Sequence, residues 1–177
     1  MTSLAPAPAP TASSRAAALA ATLALAPQYW APLVDYRSDE RWTALLDPAT
    51  VAGAVPAPLR EDLARSQVWL LSWLPGQGTV LHDHGESAGA FAVARGSLSE
   101  RVVAAGADDT AHETRTDLGA GRVRHFGTHY VHQVVNAAPE PAVSVHVYAP
   151  ALRWMTSYDV VAGRLVRTGT ERAGVDW

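Results

Sequence analysis

The rhythm of apolar and polar positions changes once along this chain, near Gln67. Upstream, apolar residues recur at helical spacing between prolines. Residues 16–26, AAALAATLALA, follow Arg15 and predict a helix capped by Ser13 or Ser14 and stopped at Pro27. Shorter helical pieces are predicted over Gln28–Tyr36, Asp39–Leu46 and Ala57–Arg65, and Pro48, Pro56 and Pro58 make the middle a loop. Ahead of them, residues 1–14 are rich in Ala and Pro and are expected to form a disordered or polyproline-like tail.

Downstream the period shortens to two. Val68–Leu74 is aromatic and branched, and Pro75-Gly76-Gln77-Gly78 turns it into Thr79–His84. Further strands are predicted at Ala88–Ala94, Ser97–Ala104, Glu113–Asp117, Val123–Phe126 and His132–Asn136. Val143–Tyr148, Tyr158–Val161 and Leu165–Thr168 complete the set. Many short strands with Gly/Pro turns, and helices only ahead of them, predict a mainly β fold. The expected form is a jelly-roll barrel of antiparallel strands over 67–177, with a helical segment from 15 to 66 packed on it as one domain.

Composition narrows the chemistry. The chain has 177 residues and no cysteine, so disulfides, thiolate metal sites and a cysteine nucleophile are excluded. Net charge is −3 and basic residues do not cluster, so the footprint expected for nucleic acid is missing. No stretch is apolar and long enough to predict a membrane-spanning helix. Residues 15–26 also have the charged start and apolar centre of a secretory signal, with Ala24-Leu25-Ala26 as a candidate cleavage site. A lone Arg, a Pro-rich start and Ala as the main apolar residue favour the helix instead.

Two patterns carry candidate chemistry. In Leu81-His82-Asp83-His84 the strand period puts both imidazoles on one face and Asp83 on the other. Imidazole is a common ligand for divalent transition metals, so a metal half-site is one reading and a solvated strand face the other. Further on, Ser144, His146 and Tyr148 alternate along one strand and therefore share a face. A Ser–His–Tyr chain would orient the phenol and tune its acidity.

The flanking residues resemble a known family. Gly76, five residues, His82, one, His84, four, Gly89, six, Gly96 resembles the first motif of the cupin superfamily. Gly121, five, Gly127, one, His129, two, His132, three, Asn136 resembles the second, with Gly127 where proline is usual. Register in that motif selects His132 over His125 and His129, and His112 reads as a surface residue. Taken together, HDHGESAG, VHQVVN and EPAVSVHVYAP resemble the cysteine dioxygenase (thiol dioxygenase) family of cupins, in its bacterial form.

The resemblance implies Fe(II) held by His82, His84 and His132, with Ser144, His146 and Tyr148 as catalytic residues beside it. It implies a small thiol, cysteine or a related mercapto acid, that receives both atoms of O2 to give a sulfinic acid. A monomer in the cytoplasm is expected. Three departures stand out. Most cupins carry a glutamate ligand where this chain has Gly89, and Glu86 lies off the strand register. In mammalian members a cysteine stands there, crosslinked to the tyrosine matching Tyr148; this chain has none. The family's Tyr-x-Arg, whose arginine holds the substrate carboxylate, is best matched by Trp42 and Ala44, and alanine offers no such clamp. Arg153 is the first alternative, with Arg41, Arg65 and Arg95 behind it, so Arg153 and Trp42 are the substrate-binding candidates. Trp69 and Trp73 read as wall or core. The competing functions are a cupin that binds a small ligand or metal without catalysis, or a cupin metalloenzyme of another reaction type, such as a zinc site of three His and water.

Overall fold

The structure, a computed structural model, describes residues 10–108 and 110–173. Of the disordered tail expected over residues 1–14, residues 1–9 lie outside the described residues and residues 12–14 are helical instead. Helix α1 runs Ala12–Ala24, so the helical segment begins before residue 15. Its cap is Thr11, not Ser13 or Ser14: the Thr11 hydroxyl accepts from the Ser14 backbone N–H at 3.2 Å. Short helices follow at α2 (Pro27–Trp30), α3 (Pro48–Val51) and α4 (Arg60–Arg65).

Eleven strands form the body: β1 (Trp42–Leu46), β2 (Gln67–Trp73), β3 (Leu81–Asp83), β4 (Ala88–Arg95), β5 (Ser97–Ala105) and β6 (Ala111–Gly119) come first. They are followed by β7 (Val123–Phe126), β8 (Val131–Val135), β9 (Ala142–Ala149), β10 (Trp154–Val161) and β11 (Arg164–Arg172). They make two sheets, one in the order β1-β2-β9-β4-β7 and one in the order β11-β10-β3-β8-β5-β6, with antiparallel pairing throughout. The mainly β architecture with leading helices is as the sequence predicts. One element differs. Asp39–Leu46 is expected as helix, yet Trp42–Leu46 is an edge strand paired with β2, because docking beside a buried strand outweighs a weak local helix preference.

The first sheet is buried on both faces. On the outer face Val68, Leu70, Ala90, Ala92, Val143, Val145 and Val147 meet Ala16, Leu19, Ala20 and Leu23 of α1. These α1 residues recur at the i, i+3, i+4, i+7 spacing, and each buried leucine stabilises the packing by roughly 1.5–3 kcal/mol. On the inner face Leu71, Trp73, Phe91, Val93 and Tyr148 meet Leu98, Leu118, Val134 and Met155, the last four carried by the second sheet. The chain therefore has a helix-facing core and a barrel core. Parity along each strand decides which one a side chain enters.

Candidate metal centre and its surroundings

His82 lies on β3 directly opposite His132 on β8, and His84 follows β3 at the start of the turn that the Ser87 N–H closes on the His84 carbonyl at 3.0 Å. The three ring centroids form a near-equilateral triangle with sides of 4.9, 4.9 and 5.0 Å. Their candidate ligand nitrogens all lie within 4.8 Å of one another, and all three residues are buried. Asp83, on the other face as its parity requires, accepts from the Tyr158 hydroxyl at 2.8 Å. Glu86, His112, His125 and His129 are exposed and take no part in the cluster.

Hydrogen bonds on the far side of two of the rings set their tautomers. The His82 Nδ1–H donates to the Val80 carbonyl at 2.9 Å, which leaves Nε2 as a free lone pair. The His132 Nδ1–H donates to Glu100 Oε1 at 2.8 Å, with the same result. Glu100 is buried and is completed by Arg124 Nε at 2.7 Å and the Tyr130 hydroxyl at 3.3 Å. His84 has no such anchor, for its Nδ1 is buried without a partner; its ring is held by stacking on Phe126 at 4.5 Å. Two outward lone pairs with a third imidazole alongside suit a divalent transition metal, so the donor set fits the ion the family implies.

Burial favours the neutral form of His82, His84 and His146. Desolvation, then the neighbouring His132, pushes the His82 pKa from 6.5 to about 3. Desolvation also lowers His84 and His146 well below the usual histidine range, with the other histidines adding repulsion. The sign for stability follows. A buried neutral His82 takes up its proton only near pH 3, whereas the unfolded chain does so near 6.5. Its contribution is complete above 6.5 and is lost as pH falls toward 3, at about 1.4 kcal/mol per pH unit. Metal-free protein is therefore expected to melt at progressively lower temperature from pH 7 to pH 4. A His82→Gln variant should show a shallower fall in the same thermal scan; an equal slope would contradict the assignment.

Among the described residues, no carboxylate joins the triangle. Gly89 sits on β4 opposite Tyr148, and a Cβ built there would lie 2.5 Å from the Val147 carbonyl oxygen and 2.9 Å from the Phe126 ring. The first of these neighbours is backbone and cannot simply swing aside. A glutamate at this place requires the sheet itself to move.

The Ser144–His146–Tyr148 row on β9 enters the same barrel core. Ser144 Oγ lies 2.8 Å from His146 Nε2, and His146 Nδ1 lies 3.4 Å from the Tyr148 hydroxyl. Phe91 stacks on His146 at 5.1 Å. The Tyr148 ring stands 5.0 Å from that of His84, and burial pushes its phenol up, with the charge of Arg41 opposing. It is a neutral hydroxyl.

The substrate-side candidates separate. Trp42 shares the face of β1 with Ala44 and Leu46, directed at the helical layer, and its indole N–H donates to the Leu33 carbonyl at 3.0 Å. It does not line the histidine pocket. Arg153 is exposed on the wall of a cavity of about 340 Å³ that it shares with His84, Glu86, Ser87, Pro150, Ala151 and Trp154. Arg41 has the opposite parity to Trp42 and lies over the inward-facing Trp73, 5.9 Å from its ring centre. Its charge bears on Tyr148, His82 and His146, while its buried Nε has no partner. The sequence reading missed Glu100 outright and ranked Arg41 behind Arg153. A lone carboxylate among inward positions of β5 is the signal for Glu100; for Arg41 the predicted helix hid the strand parity.

Residues 58–161 match the family model described as cysteine dioxygenase type I. The fold is similar to several solved structures at low identity. One is the TT1209 protein from Thermus thermophilus, 21% identical, covering 68% of this chain and 93% of that one, with TM-score 0.50. Another is an uncharacterized conserved protein with a double-stranded β-helix domain from Klebsiella pneumoniae. It is 20% identical, over 81% of this chain and 87% of that one, with TM-score 0.50. A deletion mutant of Bacillus subtilis oxalate decarboxylase is 18% identical, over 68% and 29% respectively, with TM-score 0.51. These likenesses establish the double-stranded β-helix fold of cupins.

Proposed function

Because the chain belongs to the cysteine dioxygenase type I family, we propose that it is a ferrous-iron thiol dioxygenase acting on a small carboxylate-bearing thiol. The observation that carries this reading is the juxtaposition of three buried imidazoles with the neutral phenol of Tyr148. His82, His84 and His132 would hold the iron. Ferrous iron bound there supplies dioxygen activation and a place for the thiolate sulfur. The reaction balances without a co-reductant: R–SH and O2 give R–SO2H, with both oxygen atoms ending on sulfur.

The protein's own groups account for the rest. Three imidazole ligands contribute no negative charge, so a substrate thiolate is the anion that the centre favours. Glu100, fixed by Arg124, holds the His132 ring in one orientation. Phe91, Phe126 and Trp73 wall the pocket and keep bulk water out. Arg41 enters from the barrel-facing side of β1 with an unpartnered buried Nε and receives the substrate carboxylate. Tyr148, backed by His146 and Ser144, donates its hydrogen bond to dioxygen or to that carboxylate.

Oxygen uptake by anaerobically iron-loaded protein, with cysteine, 3-mercaptopropionate and cysteamine compared, tests this. Uptake is expected with one or both of the carboxylated thiols and not with cysteamine, and no uptake with any of the three would contradict the activity. Arg41→Ala is expected to keep its iron and raise KM about ten- to a hundredfold, the loss of one charged hydrogen-bonding partner. An unchanged KM would move the carboxylate away from Arg41, with Arg153 the next candidate.

A further inference from the structure

We propose that Trp73 is a positioning residue that sets the direction of the Ser144–His146–Tyr148 hydrogen bonds, leaving the Tyr148 O–H free to point into the pocket. Trp73 is fully buried on β2, and its indole Nε1 lies 2.9 Å from Ser144 Oγ. An indole N–H can only donate. Ser144 Oγ must therefore accept from Trp73, and its own hydrogen has to go elsewhere.

That hydrogen has one destination. Ser144 is wholly buried, and among the described residues its hydroxyl has no partner except Trp73 and His146. Donating to His146 Nε2 at 2.8 Å satisfies it; any other arrangement strands a buried hydroxyl hydrogen, which costs about 1–3 kcal/mol. A neutral His146 whose Nε2 accepts carries its proton on Nδ1. Nδ1–H in turn faces the Tyr148 oxygen at 3.4 Å, a long contact that this polarity makes a donation to the phenol. The Tyr148 oxygen then accepts from behind and keeps its own hydrogen for the pocket. The row runs one way, Trp73 to Ser144 to His146 to Tyr148.

Geometry around Trp73 holds it in this task. Its backbone carbonyl accepts from Asn136 Nδ2 at 3.2 Å, and the Arg41 guanidinium lies over its ring at 5.9 Å. Trp73 fills the one other place beside Ser144 Oγ with a group that cannot accept; without the indole, a water in the vacated space can take the Ser144 hydrogen, and Oγ is then free to accept from His146. The imidazole can then carry its proton on Nε2, and its Nδ1 would take the Tyr148 hydrogen away from the pocket. The effect on turnover rests on the role given above to Tyr148; the direction of the bonds does not.

The test reads the tautomer directly. In full-length, ¹⁵N-labelled, zinc-loaded protein, long-range ¹H–¹⁵N correlation spectra report which nitrogen of each histidine carries the proton. The His146 signals are assigned by their loss in His146→Gln. Wild type is expected to show His146 protonated on Nδ1, and Trp73→Phe to shift the ring wholly or partly to the Nε2–H form. Trp73→Phe should also keep its iron and lose turnover about tenfold, a part of what a positioned proton donor contributes. Finding Nε2–H in wild type, which needs no variant to fold, would overturn the proposal; so would an unchanged tautomer in Trp73→Phe. Absent thiol oxidation with the expected tautomer would instead defeat the proposed reaction and leave the bond direction standing.

Discussion

Replacing His132 with alanine is expected to abolish retention of iron through gel filtration, where the parent protein keeps about one ion per chain. Among the described residues, the triangle of imidazoles has no spare donor. Glu86 is exposed, Asp83 faces the other way toward Tyr158, and Gly89 has no side chain to offer. Losing the contact that merely orients a ligand typically weakens metal binding about 10–100-fold, so losing the ligand itself should cost more. The same substitution leaves Glu100 Oε1 without its nearest donor in a buried site, a loss of about 1–3 kcal/mol that a thermal melt of metal-free protein would register. Metal analysis by mass spectrometry checks the first effect. Undiminished iron content would mean that the centre is built on other residues.

Tyr148→Phe is expected to separate binding from chemistry. The substitution removes one oxygen and keeps the ring that stands beside His84 and Phe126, so fold and iron content should match the parent. Turnover should fall by about a hundredfold or more, the usual contribution of a positioned proton donor. Steady-state oxygen consumption measures it, and equal kcat in the two proteins would remove Tyr148 from the mechanism.

What could be read from the sequence was whatever depends on local parity. His82 with His84, and Ser144 with His146 and Tyr148, declare a common face through the two-residue repeat alone, and the structure puts both sets in one core. Grouping His82 with His132 came from motif spacing, and β3 and β8 set the two directly opposite each other. Glu100 was invisible for a physical reason. Its partner lies on β8, and only the β5–β8 register, with Val102 opposite His132, brings the carboxylate diagonally beside that ring. Arg41 was obscured by reading Asp39–Leu46 as a helix, where parity has no meaning. As a strand edge, the same residues send Trp42 and Ala44 to the helical layer and Arg41 over Trp73. The missing acidic ligand was legible at Gly89, but the crowding by the Val147 carbonyl that excludes any side chain was not.

The central claim is that the three-histidine pocket delivers both atoms of one dioxygen molecule to the sulfur of a carboxylated thiol. Turnover of the iron-loaded protein under ¹⁸O2, with the product analysed by mass spectrometry, addresses it most directly. A sulfinic acid carrying two labelled oxygens is expected, formed in step with oxygen consumed and absent from the His132→Ala protein. A disulfide or an unlabelled product, or equal yield from His132→Ala, would contradict it.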